Sequence, residues 1–203
     1  MKKYREILEK YLPEPAVPQI LEWLTSSNVQ LNISRSRTTK LGDYRSPHKV
    51  NYHKISVNHD LNRYQFLLTL VHELAHLRTF ETYKNRVRPH GKEWKACFRE
   101  MMDPFLNEPV FPADLLLPVK QYMQNPSSST SNTALLKAMR EHDGPKDYFT
   151  LDELPMDSLF RIHNGVVFRK VEKLRKRYKC IRLDNKRIYV VSPLMKVVPV
   201  DGR

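Results

Sequence analysis

The feature that most constrains this chain is one helical segment that carries two histidines on the same face. From Asn62 to Tyr83, apolar residues recur at helical spacing, which predicts a helix with a buried face. The sequence His72-Glu73-Leu74-Ala75-His76 lies inside this segment. With about 3.6 residues per turn, His72 and His76 lie one above the other, so both imidazoles can bind one metal ion. The segment therefore predicts a metal site on a rigid helix.

Glu73 gives this predicted site a catalytic group. Because it directly follows the first histidine, its side chain projects beside the metal rather than onto it. From there a carboxylate can accept a proton from a zinc-bound water, whose pKa the metal lowers to about 7. A chance match to three fixed residues is the alternative, and the helical context with its apolar flanks argues against it.

A catalytic zinc ion needs a third protein ligand and an open fourth position. The downstream candidates are His90, Glu93 and Glu100, and their distance from the second histidine excludes none of them. His90 is the best placed, because Pro89 restricts the backbone before it and Gly91 allows a turn after it. Imidazole is also a good zinc ligand at neutral pH.

The segments around the predicted site indicate a mixed fold. Apolar spacing predicts shorter helices over about residues 3–12, 16–26 and 92–103. Alternation from Val29 to Val57 predicts a small sheet of two or three strands, with a turn at Gly42-Asp43. Prolines punctuate residues 104–126, which we expect to be extended.

The composition changes after this proline-rich stretch. The segment Ser127–Asn132 predicts a linker or a helix N-cap, followed by a short helix over 133–141. After Gly144-Pro145 the chain is β-rich, with candidate strands at 166–168, 178–183 and 188–191 and a turn at Asp184-Asn185. The sequence thus predicts an α+β protein with three parts: residues 1–125, 126–144 and 145–203.

The charge balance points to a polyanionic partner. The chain has 35 Lys+Arg against 22 Asp+Glu, a net charge of +13, and such a charge attracts nucleic acid. Eleven basic residues lie between Arg161 and Arg187, with Tyr178 among them. We expect this cluster to bind nucleic acid phosphates without sequence specificity, the alternative being a solvated strand face. Phe168 and Tyr189 are predicted to be core residues.

Cysteine usage and hydropathy indicate an intracellular protein. Cys97 and Cys180 are too few for a disulfide framework or a four-thiolate zinc site. The N-terminal residues lack the apolar run of a signal peptide, and no stretch approaches the roughly 20 apolar residues that span a bilayer. We therefore expect a cytoplasmic protein with no membrane partner.

Four segments together resemble the SprT-like zinc metallopeptidases, whose relatives include Spartan, a protease that acts on proteins crosslinked to DNA. They are Arg37–Gly42, Lys54–Asn58, Leu70–His76 and His90–Trp94, and the resemblance covers roughly residues 5–105. It implies a zincin-like helical domain with a small sheet over residues 1–125. It also implies that His72, His76 and His90 are zinc ligands and that Glu73 is the catalytic base.

The resemblance fails in the C-terminal part. Many relatives end in a zinc ribbon built from paired cysteines, whereas only Cys180 stands in the corresponding region. We therefore expect residues 145–203 to be a basic β-rich module that resembles a zinc ribbon without its cysteines. Hydrophobic packing of the strands would then hold this module together.

The predicted function is that of a zinc-dependent endopeptidase with one catalytic Zn²⁺. Its expected substrates are proteins, among them DNA-associated or DNA-crosslinked proteins. One alternative is a zinc-containing DNA-binding or scaffold protein with weak catalysis, and another is a zinc hydrolase of small molecules. An extended groove above the metal would favour the peptidase, and a closed pocket would favour the small-molecule enzyme.

Overall fold

The computed structural model describes residues 2–37, 40–48, 50–127, 133–144 and 148–200. The chain divides into two compact units, Met1–Asp143 and Gly144–Arg203. The first unit combines helices with a three-stranded sheet, and the second is built on a six-stranded sheet. The fold is therefore α+β with a β-rich C-terminal part, as the sequence predicts.

The described α-helices all belong to the first unit. They are α1 (Lys2–Tyr11), α2 (Val17–Ser26), α3 (Arg63–Tyr83), α4 (Lys92–Met102), α5 (Ala113–Gln124) and α6 (Thr133–Glu141). Five of them confirm predicted helices, and α5 is a correction. None of these helices has the length and apolarity needed to cross a membrane.

The long helix α3 owes its position to its cap and its buried face. Asn62 Oδ1 accepts hydrogen bonds from Tyr64 N and Gln65 N, as a helix N-cap does. Asn62 Nδ2 also donates to Met139 O at 2.7 Å, which ties the start of α3 to α6. The helix then buries a continuous apolar set, comprising Phe66, Leu67, Leu68, Leu70, Val71, Leu74, Ala75 and Leu77.

The small sheet of the first unit has the order β1-β3-β2. Its strands are β1 (Val29–Ser34), β2 (Gly42–Arg45) and β3 (His53–Asn58). Strand β3 pairs in parallel with β1 and antiparallel with β2, so β2 is an edge strand. Ile55 and Val57 bury one face of the sheet in the core.

The prediction of a turn at Gly42-Asp43 is wrong, because both residues are paired in β2. Gly42 lies opposite Val57, and Asp43 lies opposite Ser56. Glycine stands here for a tertiary reason rather than to make a turn, since this part of β2 approaches α3 closely.

The prediction of an extended chain over 104–126 is also wrong. Helix α5 forms despite Pro118 in its interior, which costs about 3 kcal/mol. Leu115, Val119, Tyr122 and Met123 recur at helical spacing and are buried. Because burial of each such side chain contributes about 1.5–3 kcal/mol, the apolar periodicity outweighs the proline.

Helix α6 lies within the first unit. Its Leu135 and Met139 are buried in the same core as α3 and α5, so this compact unit extends to Asp143. The predicted linker Ser127–Asn132 lies outside the described residues, apart from Ser127.

The sheet of the second unit has the order β4-β9-β5-β6-β7-β8, with antiparallel neighbours throughout. Its strands are β4 (Phe149–Thr150), β5 (Leu159–Arg161), β6 (Val167–Lys173), β7 (Tyr178–Arg182), β8 (Ile188–Val191) and β9 (Lys196–Val200). The three predicted strands correspond to β6, β7 and β8. The other three, β4, β5 and β9, were not predicted; β4 and β5 have only two and three residues.

A hydrophobic cluster and one buried lysine hold this second sheet together. Phe160, Phe168 and Cys180 are buried at its centre. Lys170, only 2% exposed, donates from Nζ to the main-chain oxygens of Leu151 and Leu154 at 2.8 and 2.6 Å. The buried ammonium therefore fixes the segment before β5 onto β6.

The first prediction tests this buried cation. Lys170→Ala should destabilise the second unit by about 2–4 kcal/mol, because two buried carbonyls lose a charged donor and the stem leaves a void. Hydrogen exchange of the full chain should accelerate within residues 148–200. The matched control is Lys179→Ala, whose ion pair with Glu172 is exposed and should contribute less than about 1 kcal/mol. Equal exchange in both variants would contradict the account.

Candidate metal centre

Helix α3 presents two imidazoles to the same point in space. His72 and His76 are one turn apart, and their ring centroids are 5.0 Å apart. Val71 and Ala75, which directly precede the two histidines, are fully buried, so packing fixes the rotation of the helix about its axis. The structure therefore confirms the predicted placement of these two histidines on one helix face.

The loop after α3 brings His90 to the same point through a tight turn. Gly91 N donates to Arg88 O at 2.9 Å, and Pro89 and His90 occupy the two central positions. His90 has a φ of 57°, the positive sign that the third residue of a type II turn requires after a proline. Histidine is among the residues that tolerate this conformation.

The role of Gly91 differs from the sequence-based expectation. His90 itself adopts the positive φ, whereas Gly91 is extended and caps the start of α4. A Cβ at position 91 would lie 2.9 Å from Arg88 O. Glycine is therefore needed for close approach within the turn rather than for its own backbone conformation.

Three imidazole nitrogens converge at this point. Nε2 of His90 lies 3.1 Å from Nε2 of His72 and 2.9 Å from Nε2 of His76. Nitrogens bound to one tetrahedral zinc ion lie about 3.3 Å apart, given Zn–N bonds of roughly 2.0–2.1 Å. Among the described residues, these three form the one group of three or more side chains suited to hold a metal ion.

Burial keeps the three imidazoles neutral. Burial, together with the charges of His76 and His90, lowers the pKa of His72 to about 3. Burial and the charge of His90 lower the pKa of His76 to about 4, and burial lowers the pKa of His90. Near pH 7 each ring therefore has a free lone pair, which is the form that binds a metal.

Trp94 of α4 packs against all three histidines. Its ring centroid lies 4.6 Å from those of His72 and His90 and 5.3 Å from that of His76. The indole is fully buried, so it fixes the orientation of the imidazoles. The helical pattern predicted an inward-facing Trp94, but it did not predict this contact with the site.

Glu73, which directly follows His72 in α3, is buried and is 7% exposed. Burial, and next the charge of Asp43, raise its pKa to about 8, although Arg37 and Lys40 act in the opposite direction. Its carboxylate accepts a hydrogen bond from the main-chain N–H of Tyr44. A pKa near the working pH lets a carboxyl group take up and release a proton, and a neighbouring cation would lower this pKa toward the ionised form that acts as a base.

Two residues of β2 that sequence reasoning missed shape this site. A Cβ on Gly42 would clash with Oε1 of Glu73 and would lie 2.8 Å from its Cγ. Tyr44 stacks on His76 with ring centroids 6.1 Å apart. Its hydroxyl hydrogen-bonds Nδ1 of His53 at 2.8 Å. A glycine within an alternating strand was the one available signal for this close approach.

Neither acidic alternative for the third ligand reaches the site. Oε1 of Glu100 accepts a hydrogen bond from Arg78 Nη2 at 2.6 Å, and its side chain is 64% exposed. Glu93 lies 3.9 Å from Lys92 Nζ, and neither acid belongs to the histidine group. The geometry therefore favours His90.

The basic cluster of the second unit differs in part from expectation. Arg175, Lys176 and Arg177 are exposed between β6 and β7. Tyr178 is buried, so its ring is closed to a stacking base. Tyr189, predicted to lie in the core, is instead 37% exposed on the edge strand β8.

Comparison with known proteins agrees with this geometry. Residues 14–114, about half of the chain, match the family model of the SprT-like family, a zinc metallopeptidase-like family. The match spans helices α2 to α4, the three-stranded sheet, the three histidines and Glu73. No curated protein and no solved structure is significantly similar to the chain. Through residues 14–114, the chain belongs to the SprT-like family.

Proposed function

We propose that the protein is a zinc-dependent endopeptidase. His72, His76 and His90 hold one Zn²⁺, and Glu73 is the catalytic base. One observation carries this proposal: the imidazoles of His72, His76 and His90 converge at one point, and the buried Glu73 directly follows His72 in α3. The family match supports a metallopeptidase-like function.

Different residues of this chain have different roles in the proposed peptide hydrolysis. Bound zinc supplies Lewis acidity, which acidifies a water molecule and polarises a carbonyl. Glu73 accepts the proton of the attacking water and can return it to the leaving amine. The N–H of Tyr44 holds the Glu73 carboxylate in place, and Trp94 keeps the ligand rings oriented.

The position of β2 at the edge of the sheet is an argument that the substrate is a polypeptide. Strand β3 pairs with one side of β2, and β3 itself lies between β1 and β2. No strand of the described residues pairs with the other side of β2, so an extended peptide could add there as a further strand. Because Gly42 and Tyr44 of β2 contact Glu73, such a peptide would run past the catalytic carboxylate. This combination of an edge strand with a histidine-bearing helix favours a zincin-like arrangement over a small-molecule hydrolase.

We further propose an intracellular role on DNA-associated proteins. The net charge of +13 and the exposed Arg175, Lys176 and Arg177 support binding to nucleic acid phosphates. A zinc-containing scaffold with weak catalysis is the competing proposal. The buried Glu73 argues against it, because a buried acid beside the histidines costs stability and needs a functional reason.

The second prediction tests the third ligand. His90→Ala should reduce zinc affinity by more than the roughly 10–100-fold that loss of an outer-shell partner costs, because two histidines leave the coordination incomplete. Metal content is measured after dialysis, with the parent expected to hold about one zinc per chain. His59→Ala, which changes an exposed histidine, is the matched control. Undiminished zinc in the His90 variant would refute the assignment.

The third prediction separates metal binding from catalysis. Glu73→Gln preserves shape and removes basicity, so zinc should remain while peptide hydrolysis falls by about 10²–10⁴-fold. Glu100→Gln is the control, because that exposed acid lies outside the site. Hydrolysis of an unstructured protein is measured with and without chelator. Full activity in the Glu73 variant would show that another group is the base.

The fourth prediction tests the basic cluster. Replacing Arg175, Lys176 and Arg177 together by Gln should reduce the slope of log K against log salt by about one to three, since each lost phosphate contact releases fewer counterions. The assay is a salt titration with single- and double-stranded oligonucleotides. Zinc content should not change. An unaltered affinity and slope would indicate a merely solvated surface.

A further inference from the structure

The face of the small sheet that carries Lys54 and Ser56 forms an open groove of about 390 Å³. Its floor consists of two cross-strand rows of polar side chains. One row contains Gln30, Lys54 and Arg45, and the other contains Asn32, Ser56 and Asp43. Arg37, next to Ser56, also lines the groove, as do Ser34 and Ile55.

Positive charge dominates this groove. Arg45 and Lys54 lie directly opposite each other on paired strands, and like charges in that position destabilise a sheet. Asp43 is the single acid in the lining, and it is shared between Arg45 Nε at 2.9 Å and Lys40 Nζ at 2.7 Å. An added anionic group would offset the remaining repulsion.

The two other cations of the groove, Arg37 and Lys54, form no ion pair with an acid among the described residues, although the charge of Arg37 acts on Glu73. Arg37 donates to the neutral oxygens of Asn58 and Ser56 at 2.8 and 3.0 Å. Nζ of Lys54 lies 5.3 Å from the ring centroid of Tyr52. The groove thus holds positive charge that the described part of the chain does not neutralise.

Strand β2 connects this groove to the reaction site. Its side chains alternate, so Gly42 and Tyr44 face Glu73 and His76, whereas Asp43 and Arg45 face the groove. A peptide strand added to the open edge of β2 alternates in the same way. Its residue opposite Arg45 would have a Cβ about 4.5–5.5 Å from that of Arg45 and would point into the groove.

We propose that the groove is a substrate subsite that accepts an Asp or Glu side chain of the polypeptide being cleaved. Arg45 makes the first contact, and Lys54 behind it adds attraction. This inference rests on the proposed peptidase function and names a preference for acidic segments in its substrates. A polypeptide is favoured over nucleic acid because the groove adjoins the peptide-binding edge, has an acid of its own and contains no aromatic side chain for base stacking.

The test maps cleavage sites in a library of unstructured peptides by mass spectrometry, using the zinc-loaded full chain. Two variants change the groove: Arg45→Glu with Lys54→Glu, and Arg45→Gln with Lys54→Gln. The control, Lys10→Glu with Lys120→Glu, makes the same total charge change at exposed positions of α1 and α5. Zinc content and unfolding midpoint are measured for each protein. If the Glu pair is unstable, the Gln pair alone tests the role of the groove.

The expected result is that Asp and Glu are enriched at one fixed position near the cleaved bond. The residues on either side of that position should show no such enrichment, because side chains of a strand alternate between its two faces. An ion pair of this exposure predicts about a three- to fivefold enrichment in the parent and in the control. The Gln pair should lose the preference, and the Glu pair should shift it to Lys and Arg.

Four outcomes would overturn the inference. Cleavage by the parent without acidic enrichment, or a preference that the Glu and Gln pairs leave unchanged, overturns the subsite alone. Absence of Glu73-dependent cleavage overturns the proposed peptidase and the subsite with it. Loss of oligo-dT binding in the Glu pair, with the cleavage preference intact, would identify the groove as a nucleic acid surface.

Discussion

The packing of α3 into the core is the constraint on which the rest of the site depends. Phe66, Leu70 and Val71 are fully buried, and each such side chain contributes about 1.5–3 kcal/mol. Any rotation of the helix would expose this set, so the opposite face is fixed toward α4 and β2. His72 and His76 lie on that face and need only a third ligand, which the turn at His90 supplies.

The same packing makes the site costly in the absence of a cation. Burial keeps the imidazoles neutral and raises the pKa of Glu73 to about 8. Both pKa shifts show that burial disfavours the charged forms of these side chains, so their arrangement adds little to the stability of the fold by itself. A divalent cation would be stabilised by three lone pairs and the adjacent carboxylate, which accounts for a polar cluster inside an apolar region. Trp94 and Tyr44 then act by holding ring positions rather than by charge.

The sequence predicted the parts of the structure that depend on local periodicity. The helix with His72 and His76, and the Pro-His-Gly turn, follow from spacing and backbone preference alone. Gly42 and Tyr44 were missed because their contacts with Glu73 and His76 join segments about 30 residues apart and leave only a glycine in a strand as a signal. Helix α5 was not predicted, because the prolines spread over residues 104–126 mask its buried apolar pattern. The exposure of Tyr189 depends on its position at a sheet edge, which alternation does not report.

X-ray absorption spectroscopy of the zinc-loaded full chain tests the central claim most directly. Three histidine ligands predict a first shell of nitrogen and oxygen atoms at about 2.0–2.1 Å. Multiple scattering from three imidazole rings should accompany this shell. A sulfur contribution at about 2.3 Å, or a shell with the scattering of fewer than three imidazoles, would contradict the three-histidine centre.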